Sequence, residues 1–354
     1  MSERFDLVVV GGGLIGLACA WRARQRGLET CVLDAGDPGN ASRAAAGMLA
    51  PASEVGESAP EIAALGKASY EAYPAFVAEL EEAGGVGAAF RVCGVLQVAL
   101  DGAGVAQLEE MHAVQRAAGL ATELLDGPAC RAREPGLAEA VVAGIWSGEE
   151  AQVDPAALVE GLEVACRRAG VVLRARTRVD AAEIEGERIQ AVAAGGERFE
   201  AERFLLATGA HTGEQTWLPP GVRPAVGPVK GQLVRGRLPA PPASALVRSG
   251  HAYVVSRADG RVVVGASSEH AGFDDTPSPE TRARLLAAAV ALLPALAALE
   301  DVHDVVGFRP STPDGLPVVG RTELENLLVA TGHYRNGVLL APLTADTIAA
   351  LLAS

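Results

Sequence analysis

The sequence predicts an α/β protein with two domains, and three observations support this prediction. The chain has 354 residues, which exceeds the length at which a single hydrophobic core usually keeps growing. Apolar side chains make up 49% of the residues, far more than in disordered chains. The chain opens with an apolar strand, a glycine-rich turn, a helix and a second strand. An α/β unit built on that opening segment, with further elements forming a second domain, accounts for all three.

The opening segment carries a dinucleotide-binding pattern. Residues 5–10 form an apolar strand that meets Gly11-x-Gly13-x-x-Gly16, and a helical stretch then runs to residue 26. A second strand over residues 30–33 ends on Asp34. The glycines permit a tight turn and close approach of a pyrophosphate to backbone N–H groups, and the acid suits the ribose hydroxyls. Strand, helix and acid at these positions predict a Rossmann-like unit.

The elements that follow do not continue as simple strand and helix alternation. A small-residue loop is predicted over 35–58, and Tyr70 and Tyr73 are expected to be packing residues on the next helix. Predicted helices cover 61–83 with a kink at Pro74, 105–118, 155–168 after an Asp154 N-cap, 279–299, and the residues from 337 onward. Predicted strands cover 94–100, 204–207 and 302–308, with several more in 225–268. The nucleotide unit is therefore predicted to be discontinuous in sequence.

Charge and cysteine usage exclude several classes of protein. The net charge of −14 predicts no nucleic-acid partner and no anionic membrane surface. The longest uncharged apolar run, residues 285–299, is shorter than the roughly 20 residues of a membrane-spanning helix, and no secretory signal is evident. Five cysteines, an odd number without a C-x-x-C pair, predict free thiols in the cytoplasm. The histidines lack the spacing of a metal pair, so no metal is expected.

Five motifs in order carry a resemblance to a known family. They are residues 6–16, Ala46-Gly47-Met48-Leu49-Ala50-Pro51, Ala207-Thr208-Gly209, Gly307-Phe308-Arg309-Pro310 with Asp314-Gly315, and Gly332-His333-Tyr334-Arg335-Asn336-Gly337. The set resembles the D-amino-acid oxidase superfamily of FAD enzymes and, within it, the glycine oxidase family of the thiamine pathway. The resemblance implies a discontinuous FAD domain over 1–85, 140–225 and 300–354. It implies a substrate domain with a mixed or antiparallel sheet over 86–139 and 226–299.

The same resemblance, together with the glycine pattern, assigns the cofactor site. FAD is expected to be bound non-covalently, because the last cysteine is Cys166 and none lies in the C-terminal region where the covalent sarcosine oxidases attach their flavin. The N-terminus of the helix from Gly337 would stabilise negative charge on the reduced ring; the alternative is a helix that only packs on the sheet. The expected FAD-contacting residues are Gly11, Gly13, Leu14, Ile15, Gly16, Asp34, Ser42, Arg43, Ala46, Gly47, Met48, Leu49, Val179, Ala207, Thr208, Gly209, Asn336, Gly337, Val338 and Leu339.

Arg309 is the predicted substrate clamp. It follows an apolar strand and precedes a proline, so it lies where a strand ends and a cleft can open. A planar guanidinium matches a carboxylate with two parallel hydrogen bonds. The alternative is a surface arginine paired with one of the many acids. The resemblance favours the clamp.

Four other residues are placed beside it. His251 and Tyr253 form an H-x-Y pair predicted to share one face of a strand; the resemblance puts Tyr253 on the substrate carboxylate, and leaves His251 open between a pocket residue and a structural one. Arg335 lines the active-site loop or pairs with an acid at the domain interface. Ser268 stands where the family pattern carries a bulky apolar residue, which leaves room for a substrate larger than glycine.

The resemblance implies oxidation of an α-amine of glycine, a small amine or a D-amino acid. Hydride passes from Cα to flavin N5, the imine hydrolyses to the keto acid (glyoxylate from glycine) and ammonia or amine, and O2 reoxidises the flavin with release of H2O2. It also implies a role in thiamine biosynthesis and a homo-oligomer. The alternatives are a sarcosine-oxidase-like enzyme or a D-amino-acid dehydrogenase with another acceptor, and a non-catalytic flavin-binding partner protein, which the acidic charge disfavours.

Overall fold

The computed structural model describes residues 2–55 and 60–353. The strands are β1 Ser2–Val10, β2 Thr30–Asp34, β3 Met48–Leu49, β4 Arg91–Val92, β5 Val95–Ala99, β6 Thr122–Asp126, β7 Ala143–Ser147, β8 Ala151–Gln152, β9 Val172–Ala175, β10 Val179–Glu185, β11 Arg188–Ala194, β12 Glu197–Leu206, β13 Gly227–Arg237, β14 Leu246–Arg248, β15 Tyr253–Ser256, β16 Arg261–Gly265, β17 Glu300–Ser311, β18 Val318–Arg321 and β19 Leu327–Thr331. The helices are α1 Leu14–Gln25, α2 Ala41–Ala44, α3 Pro51–Glu54, α4 Pro60–Gly84, α5 Gly102–Ala117, α6 Gly127–Arg133, α7 Pro155–Ala169, α8 Pro279–Leu292 and α9 Gly337–Ala353, with 3-10 turns at Gly209–Glu214 and Pro294–Ala298.

The first sheet is built around β1. It runs in the order β10-β11-β12-β1-β2-β9, and β19 pairs with the second half of β12 and with β18. β1 lies parallel to both β2 and β12, and Leu7, Val8 and Val9 are fully buried. A continuous apolar run is typical of a parallel strand covered on both faces. Helices α1, α4, α7 and α9 contribute the core on one face, including Leu14, Trp21, Phe76, Leu158 and Ile348.

The second sheet is mixed. Its order is β17-β13-β16-β15-β14-β5-β7-β6, and its pairs are antiparallel apart from the parallel pair of β5 and β14. Helix α8 closes a separate core on this sheet, with Val234, Val254, Val264, Leu285 and Leu292 among its members. The predicted fold class, a Rossmann-like α/β unit with a second mixed-sheet domain, is confirmed.

Two strands pair with a sheet other than the one that their predicted domain segments suggest. β7, within the predicted cofactor segment 140–225, pairs with β5 and β6 of the second sheet. β17, within the predicted segment 300–354, pairs along its length with β13. Both strands therefore belong to the second sheet. We propose that the cofactor domain resumes near residue 151 and again after residue 311.

Two predicted elements also differ. The predicted helix 279–299 ends at Leu292, because Pro294 lacks an N–H and forces Leu293 into extended backbone. The predicted loop 35–58 contains α2, β3 and α3, and its residues 56–58 lie outside the described part. Pro74 lies inside the continuous helix α4. Over residues 2–55 and 60–353, no helix combines the length and apolar character needed to cross a membrane.

Candidate active site

A cavity of about 310 Å³ is lined by residues of both sheets. The ends of β1 and β2 and the residues that follow β12 line one part of it, and residues of β13, β14, β15 and β17 line another. The predicted site residues that line it are Gly11, Gly13, Leu14, Ile15, Asp34, Ser42, Ala46, Gly47, Met48, Val179, Ala207, Thr208, Gly209, Tyr253, Arg309, Arg335, Asn336, Gly337, Val338 and Leu339. The volume lies in the range of small-molecule sites.

The turn between β1 and α1 and the first turn of α1 each contain a glycine with no space for a side chain. Gly11 has a φ of +110°, and a Cβ there would lie 2.3 Å from the carbonyl oxygen of Ala207. A Cβ on Gly16 would lie 1.9 Å from the carbonyl oxygen of Gly11. Glycine is thus required at both positions for the helix to approach the sheet this closely. Gly16 does this without lining the cavity itself.

The N-terminus of α1 is suited to an anion. Gly13 is its N-cap and supplies no capping side chain, and the first turn contains no acidic residue. The N–H of Leu14 donates to Ser42 Oγ at 3.0 Å. Backbone N–H groups and the positive end of the helix dipole at this position suit a pyrophosphate. Asp34, at the end of β2, lines the neighbouring part of the cavity, where ribose hydroxyls would be bound.

Buried Arg257, which follows β15, and half-buried Arg235 of β13 hold α2 and the loop that precedes β3. Arg257 donates to the carbonyl oxygen of Ala46 at 2.6 Å and to Gln152 Oε1 at 2.5 Å. Arg235 donates to the carbonyl oxygen of Arg43 at 2.7 Å. Burial lowers the pKa of Arg257 to about 10, so it stays cationic at neutral pH. Since Ala46 lines the cavity, these arginines, which lie on or beside strands of the second sheet, fix part of the cavity wall.

The start of α9 lies against the cavity and is held by α4. Tyr73 is fully buried, and its hydroxyl donates to the carbonyl oxygen of Val338 at 2.9 Å. Burial raises the pKa of Tyr73, so the donor keeps its proton. Ser69 Oγ donates to the carbonyl oxygen of Leu339 at 2.7 Å. Tyr73, expected only to pack, therefore also fixes the helix terminus that the sequence assigned to the flavin.

Arg309 and Tyr253, which the sequence assigns to the substrate, both line the cavity. Nη1 of Arg309 donates to the carbonyl oxygen of Ser267 at 3.0 Å, which fixes the guanidinium and leaves its other N–H groups for a ligand. A Cβ on Gly265 would lie 2.2 Å from the Tyr253 hydroxyl oxygen, so glycine makes room for the ring. Burial raises the pKa of Tyr253, against the charge of Arg309, and the phenol remains a neutral donor.

Arg335 lines the cavity and pairs with Glu54 of α3 at 2.7 Å between Nη2 and Oε2. The sequence left open whether Arg335 lines the pocket or pairs with an acid. In the structure it does both. Both groups belong to segments of the cofactor unit, one before α4 and one before α9. Glu54 itself had no local sequence signal.

Several predicted site residues lie outside the cavity lining. His251 is exposed in a turn before β15, where its N–H donates to Ser249 Oγ, so it does not share a strand face with Tyr253. Ser268 is exposed, and its neighbour Ser267 is the buried residue that contacts Arg309. Arg43 pairs with Glu163, and Leu49 is fully buried in the first core.

Other residues that line the cavity were not predicted from the sequence. The polar ones include Asp37, which pairs with Arg178, together with Asn40, His211, Arg248 and His333. His333 is buried, its Nε2 lies 3.0 Å from Thr344 Oγ1, and desolvation lowers its pKa to about 4. Two of these residues could have been found in the sequence. Asn40 is the N-cap of α2, and His333 falls within the motif over residues 332–337. The others depend on tertiary pairing.

The cradle of glycines, the open terminus of α1 and the acid after β2 are the arrangement of a dinucleotide-cofactor protein, and the residues present fit FAD. The chain belongs to the FAD-dependent oxidoreductase family, whose model matches residues 6–351. The prediction of FAD as the cofactor is thereby confirmed.

Individual relatives are consistent with this membership. The chain is 36% identical over 350 residues to a bifunctional ThiO/ThiG protein of Trichormus variabilis, covering 97% of this chain and 52% of that protein. It is 32% identical to a glycine oxidase of Pseudomonas aeruginosa, covering 99% of this chain and 95% of that one. The crystal structure of glycine oxidase from Geobacillus kaustophilus matches with a TM-score of 0.92 at 32% identity, covering 99% and 95% of the two chains. The chain spans about half the length of the bifunctional relatives it matches.

Proposed function

We propose that this protein is a glycine oxidase that oxidises the α-amine of glycine and of other small amino acids. The observation that carries the proposal is that Arg309 and Tyr253 both line the cavity, with the Arg309 guanidinium fixed by the carbonyl of Ser267 at 3.0 Å and its charge acting on the Tyr253 hydroxyl. The similarity to proteins named glycine oxidase at 32% identity over nearly the whole chain supports the same substrate.

In this proposal Arg309 and Tyr253 bind the substrate carboxylate. The guanidinium offers two parallel N–H donors and the neutral phenol offers a third, so the amino acid is held by one end. FAD, when bound, would supply the acceptor for the hydride lost from Cα, which carries both electrons of the oxidation. The α9 terminus, fixed by Tyr73 and Ser69, presents backbone N–H groups toward negative charge.

Positioning is the main contribution of the protein to the rate. Among the cavity-lining acids of the described residues, Glu54 is engaged by Arg335 and Asp37 by Arg178, so we assign no side chain as a base. The substrate reacts as the neutral amine. Because its Cα is held in one place, the reaction becomes effectively unimolecular within the bound complex. The imine formed by oxidation of the amine is then hydrolysed by water to the keto acid and ammonia.

We extend the proposal to the setting of the reaction. O2 is the electron acceptor and H2O2 a product, and the protein is a cytoplasmic homo-oligomer; the free thiols at Cys19, Cys31, Cys93, Cys130 and Cys166 support a reducing compartment. The similarity to proteins named ThiO/ThiG supports a role in thiamine biosynthesis.

Anaerobic mixing of the yellow holoenzyme with glycine tests the activity. We expect bleaching of the flavin absorbance with glycine and sarcosine, and H2O2 on admission of air. Arg309→Met should raise the apparent KM for glycine by about 10- to 100-fold, the value of a lost charge-assisted pair. An unchanged KM would remove Arg309 from the site.

The alternatives predict other results. Bleaching without H2O2, but with reduction of an artificial dye, would indicate a dehydrogenase. Larger D-amino acids outperforming glycine would indicate a wider pocket, and absence of bleaching across the whole panel would indicate a flavin-binding protein without amine oxidation.

A further inference from the structure

An aromatic cluster of His211, Phe273 and Phe308 lies beside the cavity. Phe273, in the loop between β16 and α8, stacks on His211 of the 3-10 turn that follows β12, with ring centroids 4.2 Å apart and an interplanar angle of 7°. Phe273 also meets Phe308 of β17 edge to face, with centroids 5.2 Å apart. His211 and Phe308 both line the cavity. Phe273 therefore connects a residue that follows the first sheet to a strand of the second.

The loop that carries Phe273 is fixed to β13 on both sides of the ring. Lys230 is 3% exposed, and its backbone N–H and carbonyl exchange hydrogen bonds of 2.9 Å with those of Glu269. Its ammonium donates to Asp274 Oδ2 at 2.9 Å and to the carbonyl oxygen of Thr276 at 2.7 Å. The hydrogen bond from Lys230 lowers the pKa of Asp274 to about 2, so this ion pair is charged at neutral pH. Phe273 is thus held between two anchored positions.

Residues 37–42 form one wall of the cavity, and the aromatic cluster packs against that wall. Every residue from 37 to 42 lines the cavity. The N–H of Phe308 donates to the carbonyl oxygen of Gly39 at 2.9 Å, and a Cβ on Gly39 would lie 2.3 Å from the Phe308 ring. Nε2 of His211 lies 3.9 Å from Asp37 Oδ2. Because Phe273 contacts both rings, it supports the two side chains that hold this wall.

The same wall runs between two groups that are expected to bind the cofactor. It begins shortly after Asp34, which suits the ribose hydroxyls, and it ends at Ser42, whose Oγ accepts the N–H of Leu14 at the helix terminus suited to the pyrophosphate. A nucleotide that extends from Asp34 to the N-terminus of α1 therefore lies along residues 37–42. Outward movement of this wall would loosen contacts with both parts of the nucleotide.

We propose that Phe273 is a cofactor-retaining residue: through His211 and Phe308 it holds the wall of residues 37–42 against bound FAD and slows the release of the cofactor. The inference goes beyond the proposed function, because it concerns how long FAD stays bound and is independent of the substrate that is oxidised. It gives a loop of the second sheet a part in holding a cofactor whose nucleotide lies on the first.

The release of FAD tests this role directly. The holoenzyme is diluted, and the recovery of free-flavin fluorescence gives the rate of release; titration of the apoprotein with FAD gives the Kd. Phe273→Leu removes the ring but keeps an apolar side chain, and we expect the release rate and the Kd to rise about three- to tenfold, the value of one aromatic pair. Phe273→Tyr keeps the ring and should behave as the unchanged protein. Asp275→Ala, at an exposed position of the same loop, is the control and should leave both values unchanged.

A double-mutant cycle assigns the effect to the stack on His211. His211→Leu alone should also raise the release rate. Adding Phe273→Leu to it should produce little further change, because the stacked pair is already broken. The Tm of each apoprotein, measured in parallel, separates a loss of folding stability from a loss of FAD retention.

Two results would overturn the inference. The first is an unchanged release rate in Phe273→Leu, whether or not the Tm of its apoprotein falls. The second is a rise of the same factor when Phe273→Leu is made in the protein and in His211→Leu. If Phe273→Leu does not fold, Asp274→Asn, which weakens the attachment of the loop to Lys230, decides in its place, and an unchanged release rate there would contradict the role. Oxidation of glycine enters none of these measurements, so they remain decisive if the proposed function fails.

Discussion

Gly231 lies directly behind the guanidinium of Arg309. A Cβ on Gly231 would lie 2.5 Å from Nη1 and 2.6 Å from both Cζ and Nη2. The obstructing atoms are the far end of a flexible side chain, so Gly231→Ala should move the guanidinium and leave the backbone in place. We expect the apparent KM for glycine to rise about tenfold or more, with the flavin spectrum unchanged.

Gly227 provides the matched control on the same strand. A Cβ there meets no atom within 4 Å, so Gly227→Ala should leave the KM near its original value. A Gly231→Ala protein with an unchanged KM would show that the position of the guanidinium does not govern substrate binding.

Arg257→Met should weaken FAD binding. The substitution removes the donors to the carbonyl oxygen of Ala46 and to Gln152 Oε1, and an unsatisfied buried acceptor costs about 1–3 kcal/mol. We expect the Kd for FAD, measured by recovery of free-flavin fluorescence, to rise about tenfold or more. Arg237→Met, at an exposed position at the end of β13, is the control. A lower Tm of the apoprotein with an unchanged Kd would limit Arg257 to folding.

Glu150 should make the protein less stable as pH rises. Desolvation raises its folded pKa to about 7 from 4.5, so between these values the folded state holds a proton that the unfolded state has lost. Raising the pH through this window favours unfolding, by up to about 3 kcal/mol, and the loss is complete above pH 7. Denaturant unfolding at pH 5 and pH 8 should show that Glu150→Gln removes this loss. An identical pH dependence in the variant would contradict it.

His333 should act with the opposite sign. Its folded pKa is lowered to about 4 from 6.5 because the ring is buried, so the unfolded state takes up a proton first as the medium is acidified. Stability is complete above pH 6.5 and is lost as the pH falls toward 4, by up to about 3 kcal/mol. In His333→Gln this acid-side loss should be absent in the same unfolding measurement, made at constant free FAD. A variant that loses stability as steeply would exclude His333 as its source.

The opening unit was predictable because its signals are local. An apolar run, the glycines at 11, 13 and 16 and an acid after the next strand determine one βαβ unit within consecutive residues, and the helix start at Asp154-Pro155 is equally local. Arg309 was also within reach, because its position after an apolar stretch is a feature of the sequence itself.

Sheet membership and the pairs across it were not predictable in this way. β17 pairs with β13, some seventy residues earlier in the chain, and no local pattern specifies that partner. Arg248 reaches the cavity because it lies opposite Tyr253, and Arg257 follows a strand as a surface turn residue would. The end of α8 was different: Pro294 gave a signal that the length of the apolar run masked.

The topology also fixes the order in which the protein becomes complete during synthesis. β1 is synthesised before its neighbour β12, which begins at residue 197. β12 in turn pairs with β19, which begins at residue 327. The second sheet, in contrast, has all its strands by residue 311. Residues 333–339 then close the cavity. The parallel sheet around β1 therefore stays incomplete until β19 has been synthesised, and the cavity has all of its lining residues only after residue 339.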